Sequence, residues 1–345
     1  MSEKLRVCIV GCGRVAQSHA AGALECADVE LSAIVSRNDE KRLAFRDAYQ
    51  VSVDFADLDE ALASDTFDAV DLCVPNHVHV EYALKCAKAG KHILIEKPMA
   101  NTYADCKLIL DAAKEYGVTL MTGQSRRYHD AVLLSKKMAD EGAIGEVISI
   151  TGSLLGYLPA APTPWWNNNE TAGGLMIPLW GNHIFDYILY MFGESPERVY
   201  CESYSNGATW EGEDEATVLM GFSKGRFATV RMSWNTRLTA DEEWEGQSKM
   251  LKSSDIIYER YIQGSQGTLK LNDETMLTLN GAVKCEGAQP IGNFALQYSE
   301  LANAIKEGRA PLTDGDVGAE NVLVQDAALL SAKEKRVVFL SELRG

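Results

Sequence analysis

The chain has 345 residues and a formal net charge of −16. So acidic a balance offers no basic field for nucleic acid or an anionic membrane, although a local cationic patch can still hold a small anionic cofactor. With 46% hydrophobic and 24% charged residues the chain reads as a globular protein, long enough for two domains that each bury a core.

The first residues, MSEKLRVCIVGCG, lack a basic stretch, a long apolar core and a small-residue cleavage site, and no later run reaches membrane-spanning length. A cytoplasmic protein is expected. Eight cysteines are scattered without a C-x-x-C pair, so they are read as reduced and mostly buried. The six histidines form no constellation with carboxylates or thiols at metal-ligand spacing, and no metal is expected.

In chain order, Leu5 to Val10 is a short apolar strand that runs into Gly11-Cys12-Gly13-Arg14-Val15-Ala16, followed by a helix over Gln17 to Cys26. In this strand, turn and helix pattern Gly11 permits the tight turn, Gly13 lets the backbone approach a pyrophosphate, and the small Ala16 lets helix and strand pack closely. Val29 to Val35 is a second strand. Its end holds Ser36, Arg37 and Asn38, where an acidic side chain would otherwise bind the 2′-hydroxyl of an adenosine ribose. A cation and a hydroxyl suit a 2′-phosphate, so NADP is expected over NAD, with use of NAD still open.

Helices follow at Asp39 to Tyr49 and Asp57 to Ala63, then a strand over Asp68 to Val74 that ends in the polar turn Pro75-Asn76-His77-Val78-His79. After a helix from Val80 to Ala89, the stretch KHILIEKPMANT begins as an apolar strand and stops abruptly in Glu96, Lys97 and Pro98. In an open parallel sheet ligands bind at that end of a strand, and proline cannot donate a ladder hydrogen bond, so pairing ends where the lysine emerges. A surface Glu-Lys pair is the other reading of these residues alone. A helix over Asp105 to Tyr116 and a strand over Val118 to Thr122 lead into Gly123-Gln124-Ser125-Arg126-Arg127-Tyr128. Strands alternating with helices across this region predict a doubly wound parallel sheet, an α/β arrangement.

The pattern then changes. A helix over Ala131 to Glu141 and a strand over Glu146 to Leu155 precede PAAPTPWWNNNE, a proline- and asparagine-rich loop with two adjacent tryptophans. Gly173 to Phe192 contains a helix with His183 and Asp186 three apart on one face. Strands are expected over Pro196 to Ser205, Glu215 to Ser223 and Gly225 to Asn235, with a turn at Ser223-Lys224-Gly225. Leu238 to Ser254 is read as a charged loop, Ile256 to Leu279 as strands, and Asn293 to Lys306 and Val317 to Ala332 as helices before a strand at Val337 to Leu340. This half is of α+β type.

Taken together, VCIVGCGRVA, LCVPNHVH, AGKHILIEKPMA, TGQSRRY, EGAIGEV and the GG followed by GNHIFD resemble the Gfo/Idh/MocA oxidoreductase family over nearly the whole chain, the EKP strand being the most specific part. The resemblance implies a Rossmann domain over 1–125 and a substrate-binding and oligomerisation domain over 126–345, built on a large, mainly antiparallel open sheet. It implies a nicotinamide cofactor and oxidation or reduction of a secondary alcohol of a sugar, cyclitol or related polyol. By position, Gly11, Gly13, Arg14 and Val15 would line the pyrophosphate and Ser36 and Arg37 the adenosine ribose. Val74, Pro75, Asn76, His79 and Gln124 would line the rest of the cofactor, and Glu96 and Lys97 the nicotinamide ribose.

Lys97 and His183 would be the catalytic pair. His183, with Arg127, Tyr128, Trp165 and Trp166, would also meet the substrate, while Arg126 would face solvent. The two tryptophans would stack on a sugar face or, alternatively, pin their loop through buried rings. The family aspartate expected four residues before the histidine is replaced by Leu179, which leaves Asp186 as a candidate to orient the imidazole. Two rival functions share the architecture: glycoside hydrolysis through transient oxidation by bound NAD, and a non-catalytic dinucleotide-binding regulator. The broad open sheet also implies a homodimer or homotetramer.

Overall fold

Buried apolar runs and helices alternate through the first third of the chain because each parallel strand is covered on both faces. Ile93, Leu94 and Ile95, for example, are all fully buried. The computed structural model describes residues 4–158, 160–161, 163–207, 210–238, 256–287 and 292–345. The chain divides into two compact units, the first comprising Met1–Ala100, Ala104–Tyr128 and Gln289–Ala319, and the second Asn101–Tyr103, His129–Ala288 and Glu320–Gly345.

The first unit contains strands β1 (Leu5–Val10), β2 (Val29–Val35), β3 (Val53–Phe55), β4 (Ala69–Leu72), β5 (His92–Glu96) and β6 (Leu120–Gly123). They form one sheet in the order β3-β2-β1-β4-β5-β6, and every neighbouring pair is parallel. The order reverses beside β1, so the turn after β1 opens at a topological switch point, the place where such sheets bind ligands. Helices α1 (Arg14–Glu25), α2 (Asp39–Tyr49), α3 (Leu58–Leu62), α4 (His79–Lys88) and α5 (Tyr103–Tyr116) connect the strands. The Lys97-Pro98 peptide is cis.

The second unit carries β7 (Val147–Gly156), β8 (Arg198–Tyr204), β9 (Glu215–Gly221), β10 (Phe227–Ser233), β11 (Ile256–Gly264), β12 (Thr268–Asn272), β13 (Met276–Leu279), β14 (Ala282–Glu286) and β15 (Val338–Phe339). They pair in the order β14-β13-β12-β11-β7-β10-β9-β8-β15. β7 and β10 run parallel and the remaining pairs are antiparallel. Helices α6 (Asp130–Asp140), α7 (Asn169–Ala172) and α8 (Asn182–Phe192) belong to this unit, as do α11 (Ser341–Arg344) and most of α10 (Gly315–Glu334). α8 lies close to β7 because Gly152 has no side chain; a Cβ there would come within 2.3 Å of Ile184 Cδ1. Of the charged loop expected over Leu238 to Ser254, everything beyond Leu238 lies outside the described residues.

The expected division at residue 125 does not describe where the chain crosses. Helix α9 (Gly292–Glu307) returns to the first unit and packs on α1, with Tyr298 and Leu301 buried in the core that also holds Val7, Ile9 and Leu94. Gly22 makes this possible, since a Cβ at that position would meet Phe294 Cβ at 2.4 Å. A helical repeat marks 293–306 as amphipathic but carries no information about which core receives its apolar face.

Candidate active site

In the first unit, Gly11 ends β1 at φ +104, and a Cβ there would lie 2.4 Å from the Cys73 carbonyl oxygen, so only glycine fits. Gly13 precedes α1 in an extended conformation with no side-chain cap, and the first turn of α1 contains no acidic residue. Nothing lies within 4 Å of where its Cβ would sit. The helix start therefore has no capping side chain at Gly13 and has room there for a pyrophosphate to approach the backbone. Ala16 is fully buried, while Arg14 and Val15 are exposed.

At the end of β2, Ser36 is half-buried and Arg37 exposed. Arg42 is committed to Asp54, with Nε 2.7 Å from Oδ2, and to the Ser36 carbonyl at 3.0 Å. Among the described residues Arg37 has no carboxylate partner, and its guanidinium is the cation this strand end offers to solvent.

Beyond β4, Val74 and Pro75 are half-buried and Asn76 is buried. His79, expected to line the cofactor, is fully buried. Its Nε2 lies 2.9 Å from the Val74 carbonyl, and its Nδ1 lies 3.2 and 3.1 Å from those of Pro98 and Met99. Burial pushes its pKa down against those carbonyls. His79 braces the ends of β4 and β5 as a strut between backbone groups.

β5 delivers Glu96 and Lys97 to the carboxyl edge of the sheet. Lys97 is half-buried. Burial pushes its amine down to about 8, opposed by the Glu96 charge and assisted by Arg126 and Arg14. Arg126 is thus half-buried and electrostatically part of this site, not the solvent-facing residue expected. Arg127 and Tyr128, expected on the substrate, are both buried. Arg127 Nη1 lies 3.5 Å from the Leu312 carbonyl and the Tyr128 hydroxyl 3.1 Å from Thr313 Oγ1. The 3₁₀ turn Ser125–Tyr128 rotates successive side chains to different sides, so the two arginines exchange the environments read for them. Gln124 is buried as well.

A cluster that spacing did not reveal lies beneath Lys97. His19 of α1 has Nδ1 2.7 Å from Asp71 Oδ2 and Nε2 3.0 Å from Glu96 Oε1, and Tyr298 of α9 donates its hydroxyl to Asp71. Cys73 Sγ approaches Asp71 Oδ1 at 3.5 Å. His19, Asp71 and Cys73 gather as metal-ligating side chains do, but their polar atoms are hydrogen-bonded to one another.

In the second unit, His183 opens α8, half-buried. The preceding residues, Met176–Gly181, form a π-helical turn, a wide turn that accommodates Pro178, which has no N–H to donate. Leu179 is buried in the apolar core of this unit, so this position offers His183 no carboxylate. Asp186 is also buried. Trp180 meets Trp234 edge-on at 4.9 Å and His183 at 6.3 Å. Glu213, unremarked in sequence, is buried beside the wide turn, its Oε1 accepting from Ile177 N at 2.7 Å and Leu175 N at 3.3 Å. Burial pushes its carboxyl up to about 7 despite those bonds. Trp165 and Trp166 are half-buried, edge to face at 6.1 Å, against the rim of the same core.

A model of the oxidoreductase family with an NAD-binding Rossmann fold, Gfo/Idh/MocA, matches residues 5–124, and the C-terminal domain model of the same family matches 132–248. The chain belongs to the Gfo/Idh/MocA family. It is an NAD(P)-dependent oxidoreductase of that family, and the uncapped start of α1 beside Gly11 and Gly13 fits the dinucleotide that the fold binds. Among relatives of this Gfo/Idh/MocA chain, the scyllo-inositol 2-dehydrogenase (NADP(+)) IolW of Bacillus subtilis is 26% identical over 89% of this chain and 87% of its own. The myo-inositol 2-dehydrogenase of Thermotoga maritima is 26% identical over 99% and 100%. The fold matches that of levoglucosan dehydrogenase in complex with NADH at a TM-score of 0.88, with 21% identity over 98% of this chain and 99% of that one. No helix among the described residues is long and apolar enough to cross a membrane.

Proposed function

We propose that the protein transfers a hydride between a nicotinamide dinucleotide, NADP in preference to NAD, and a secondary alcohol of a sugar, cyclitol or related polyol. Lys97 handles the hydroxyl proton. One observation carries this reading: β5 brings Lys97 to the carboxyl edge of the parallel sheet, and burial there pushes its amine down to about 8, near enough to neutrality for acid-base work. When bound, the cofactor supplies the hydride acceptor or donor through its nicotinamide ring.

The chain's own groups do the rest. The start of α1 with Gly11, Gly13, Arg14 and Val15 holds the pyrophosphate, and Ser36 and Arg37 hold the adenosine ribose, the guanidinium matching a 2′-phosphate. Val74, Pro75 and Asn76 shape the cofactor's edge. Lys97 hydrogen-bonds the substrate oxygen and takes or returns its proton. In the second unit His183 is the other catalytic residue of this reading, and the half-buried rings of Trp165 and Trp166 offer flat apolar surface suited to a sugar. The inositol dehydrogenases among the relatives support the substrate class.

Self-association through the second sheet belongs to the same reading. The face of that sheet opposite its core exposes Leu219, Phe227, Tyr204 and Phe339, apolar surface that a second copy would cover.

Incubation with NADP or NAD and a panel of inositols, aldoses and anhydrosugars, followed by absorbance of the reduced nicotinamide, tests the reading. Turnover of at least one polyol, faster with NADP, is expected. Tight dinucleotide binding without turnover of any polyol would point instead to a regulator, and release of aglycone from aryl glycosides without net cofactor reduction to a hydrolase.

A further inference from the structure

β4 and β5 carry two carboxylates, Asp71 and Glu96, into the interior of the first unit, and α1 lays His19 between them. His19 and Asp71 are fully buried and Glu96 is 7% exposed. The ring turns a different nitrogen to each acid, Nδ1 to Asp71 at 2.7 Å and Nε2 to Glu96 at 3.0 Å. An ionised carboxylate only accepts hydrogen bonds, so a ring facing one at each nitrogen satisfies both only when both nitrogens are protonated.

The groups around the ring are consistent with that state. Burial by itself would push His19 down, but Asp71 carries it well above its ordinary value. Just after β4, Cys73 is pushed up by burial, and from α9, Tyr298 is pushed up likewise. Both therefore stay protonated and act as donors to Asp71. Rings of Phe294 at 4.8 Å and Tyr298 at 6.2 Å close the remaining sides. The charged and titratable groups that face the imidazole are thus Asp71, Glu96, Cys73 and Tyr298.

Glu96 is fully engaged. Oε1 meets His19, and Oε2 accepts from the Lys97 backbone N–H at 3.2 Å. Gly123 leaves space for this arrangement, since a Cβ there would lie 2.6 Å from Glu96 Oε1. The carboxylate is therefore fixed beside Lys97. Burial, Arg126 and Arg14 favour the neutral amine of Lys97, and Glu96 favours the ammonium.

We propose that His19 is a permanently protonated positioning residue that holds the Glu96 carboxylate in place beside Lys97, and so sets the charge state of Lys97, with Asp71 and Tyr298 anchoring the imidazolium. Without that cation, Glu96 loses the donor that fixes its Oε1 beside Lys97. Lys97 then loses the anion that holds its proton. The inference rests on Lys97 as the proton-handling group proposed above, but it is read without substrate. Failure of every polyol to turn over would refute that reaction and leave the ionisation measurements standing.

Two measurements on the full, cofactor-free chain decide it. Nitrogen NMR of histidine-labelled protein is expected to show one ring protonated at both nitrogens from about pH 6 to about pH 9, above the ordinary titration of histidine; that ring vanishes in His19→Gln. Trace acetylation of Lys97 as a function of pH, read by peptide mass spectrometry, should give a midpoint of about 8. That midpoint should fall by roughly one pH unit or more in His19→Leu and recover in part in His19→Gln, which keeps a donor for Glu96. Glu96→Gln should lower it equally, with no further fall in the double variant. A neutral His19 ring, or an unchanged Lys97 midpoint in folded His19→Leu, overturns the proposal. Should His19→Leu fail to fold, the wild-type NMR and the Glu96→Gln midpoint are sufficient, because a neutral ring or an unmoved midpoint in either rejects it.

Discussion

Raising the pH should weaken the second unit through a buried carboxyl, Glu213. This side chain is 8% exposed and holds the wide turn ahead of His183 through the N–H groups of Leu175 and Ile177. Its pKa rises from an ordinary 4.5 to about 7 on folding, chiefly through burial. A group whose folded pKa lies above its unfolded one binds more protons when folded, so its stabilising contribution is complete below pH 4.5 and is lost as pH climbs through about 7. At roughly 1.4 kcal/mol per pH unit the loss is about 3 kcal/mol. Glu213→Gln keeps an acceptor oxygen and cannot ionise. It should match the wild type at low pH and exceed it by up to about 3 kcal/mol above neutrality. Urea unfolding followed by tryptophan fluorescence is suited to this, because the described tryptophans, Trp165, Trp166, Trp180, Trp210 and Trp234, lie within the second unit. Neighbouring Asp214 is shifted in the same direction, so the difference between wild type and variant is the quantity to follow. Parallel loss of stability in both proteins over this window would refute the reasoning.

Three further outcomes are expected. With its amine at about 8, Lys97 should make alcohol oxidation rise with pH and level off above about 8, whereas Lys97→Arg, which cannot supply a neutral group, should cut turnover by roughly two orders of magnitude or more with dinucleotide affinity retained; steady-state kinetics against pH and fluorescence titration measure the two effects. Arg37→Asp should weaken NADP roughly tenfold or more while changing NAD little, because a charge-assisted contact to the 2′-phosphate is lost; equal losses for both dinucleotides in direct titrations would argue against a 2′-phosphate site at Arg37. Gly11→Ala forces a Cβ to 2.4 Å from the Cys73 carbonyl at φ +104. It should cost about 1–3 kcal/mol in backbone conformation alone, with more from the displaced end of β4. Urea unfolding monitored by far-UV circular dichroism and dinucleotide titration should both register it.

Local chemistry made the first unit legible. The runs Val7 to Val10 and Ile93 to Ile95 are buried throughout, and a strand covered on both faces declares itself as an unbroken apolar stretch. Gly11 and Pro98 punctuate the ends of β1 and β5 through steric rules that act within a few residues. The hairpin at Ser223-Lys224-Gly225 was legible for the same reason, with Lys224 at φ 56 and Gly225 at φ 75. Strand-end chemistry, and with it Lys97 as the residue of interest, follows from such signals.

Other features depend on partners far along the chain. Arg126 and Arg127 are adjacent and chemically identical, and only the packing of a 3₁₀ turn against 312–313 makes one buried and leaves the other beside Lys97. His79 stands in a polar strand-end turn like a ligand-facing residue, yet carbonyls near residue 98 claim its ring.

By itself, then, the sequence determined most strands and helices, though not β3 or β14, the glycine turn, the termination of β5 at Lys97 and the absence of a carboxylate at Leu179. Each of these rests on sterics or periodicity that a short segment carries alone. Only the tertiary structure decided that α9 returns to the first unit, that Glu213 fastens the turn before His183, and that His19 bridges acids 52 and 77 residues away. Those juxtapositions arise from sheet order and helix packing, and no local pattern encodes which distant side chain will satisfy a buried donor.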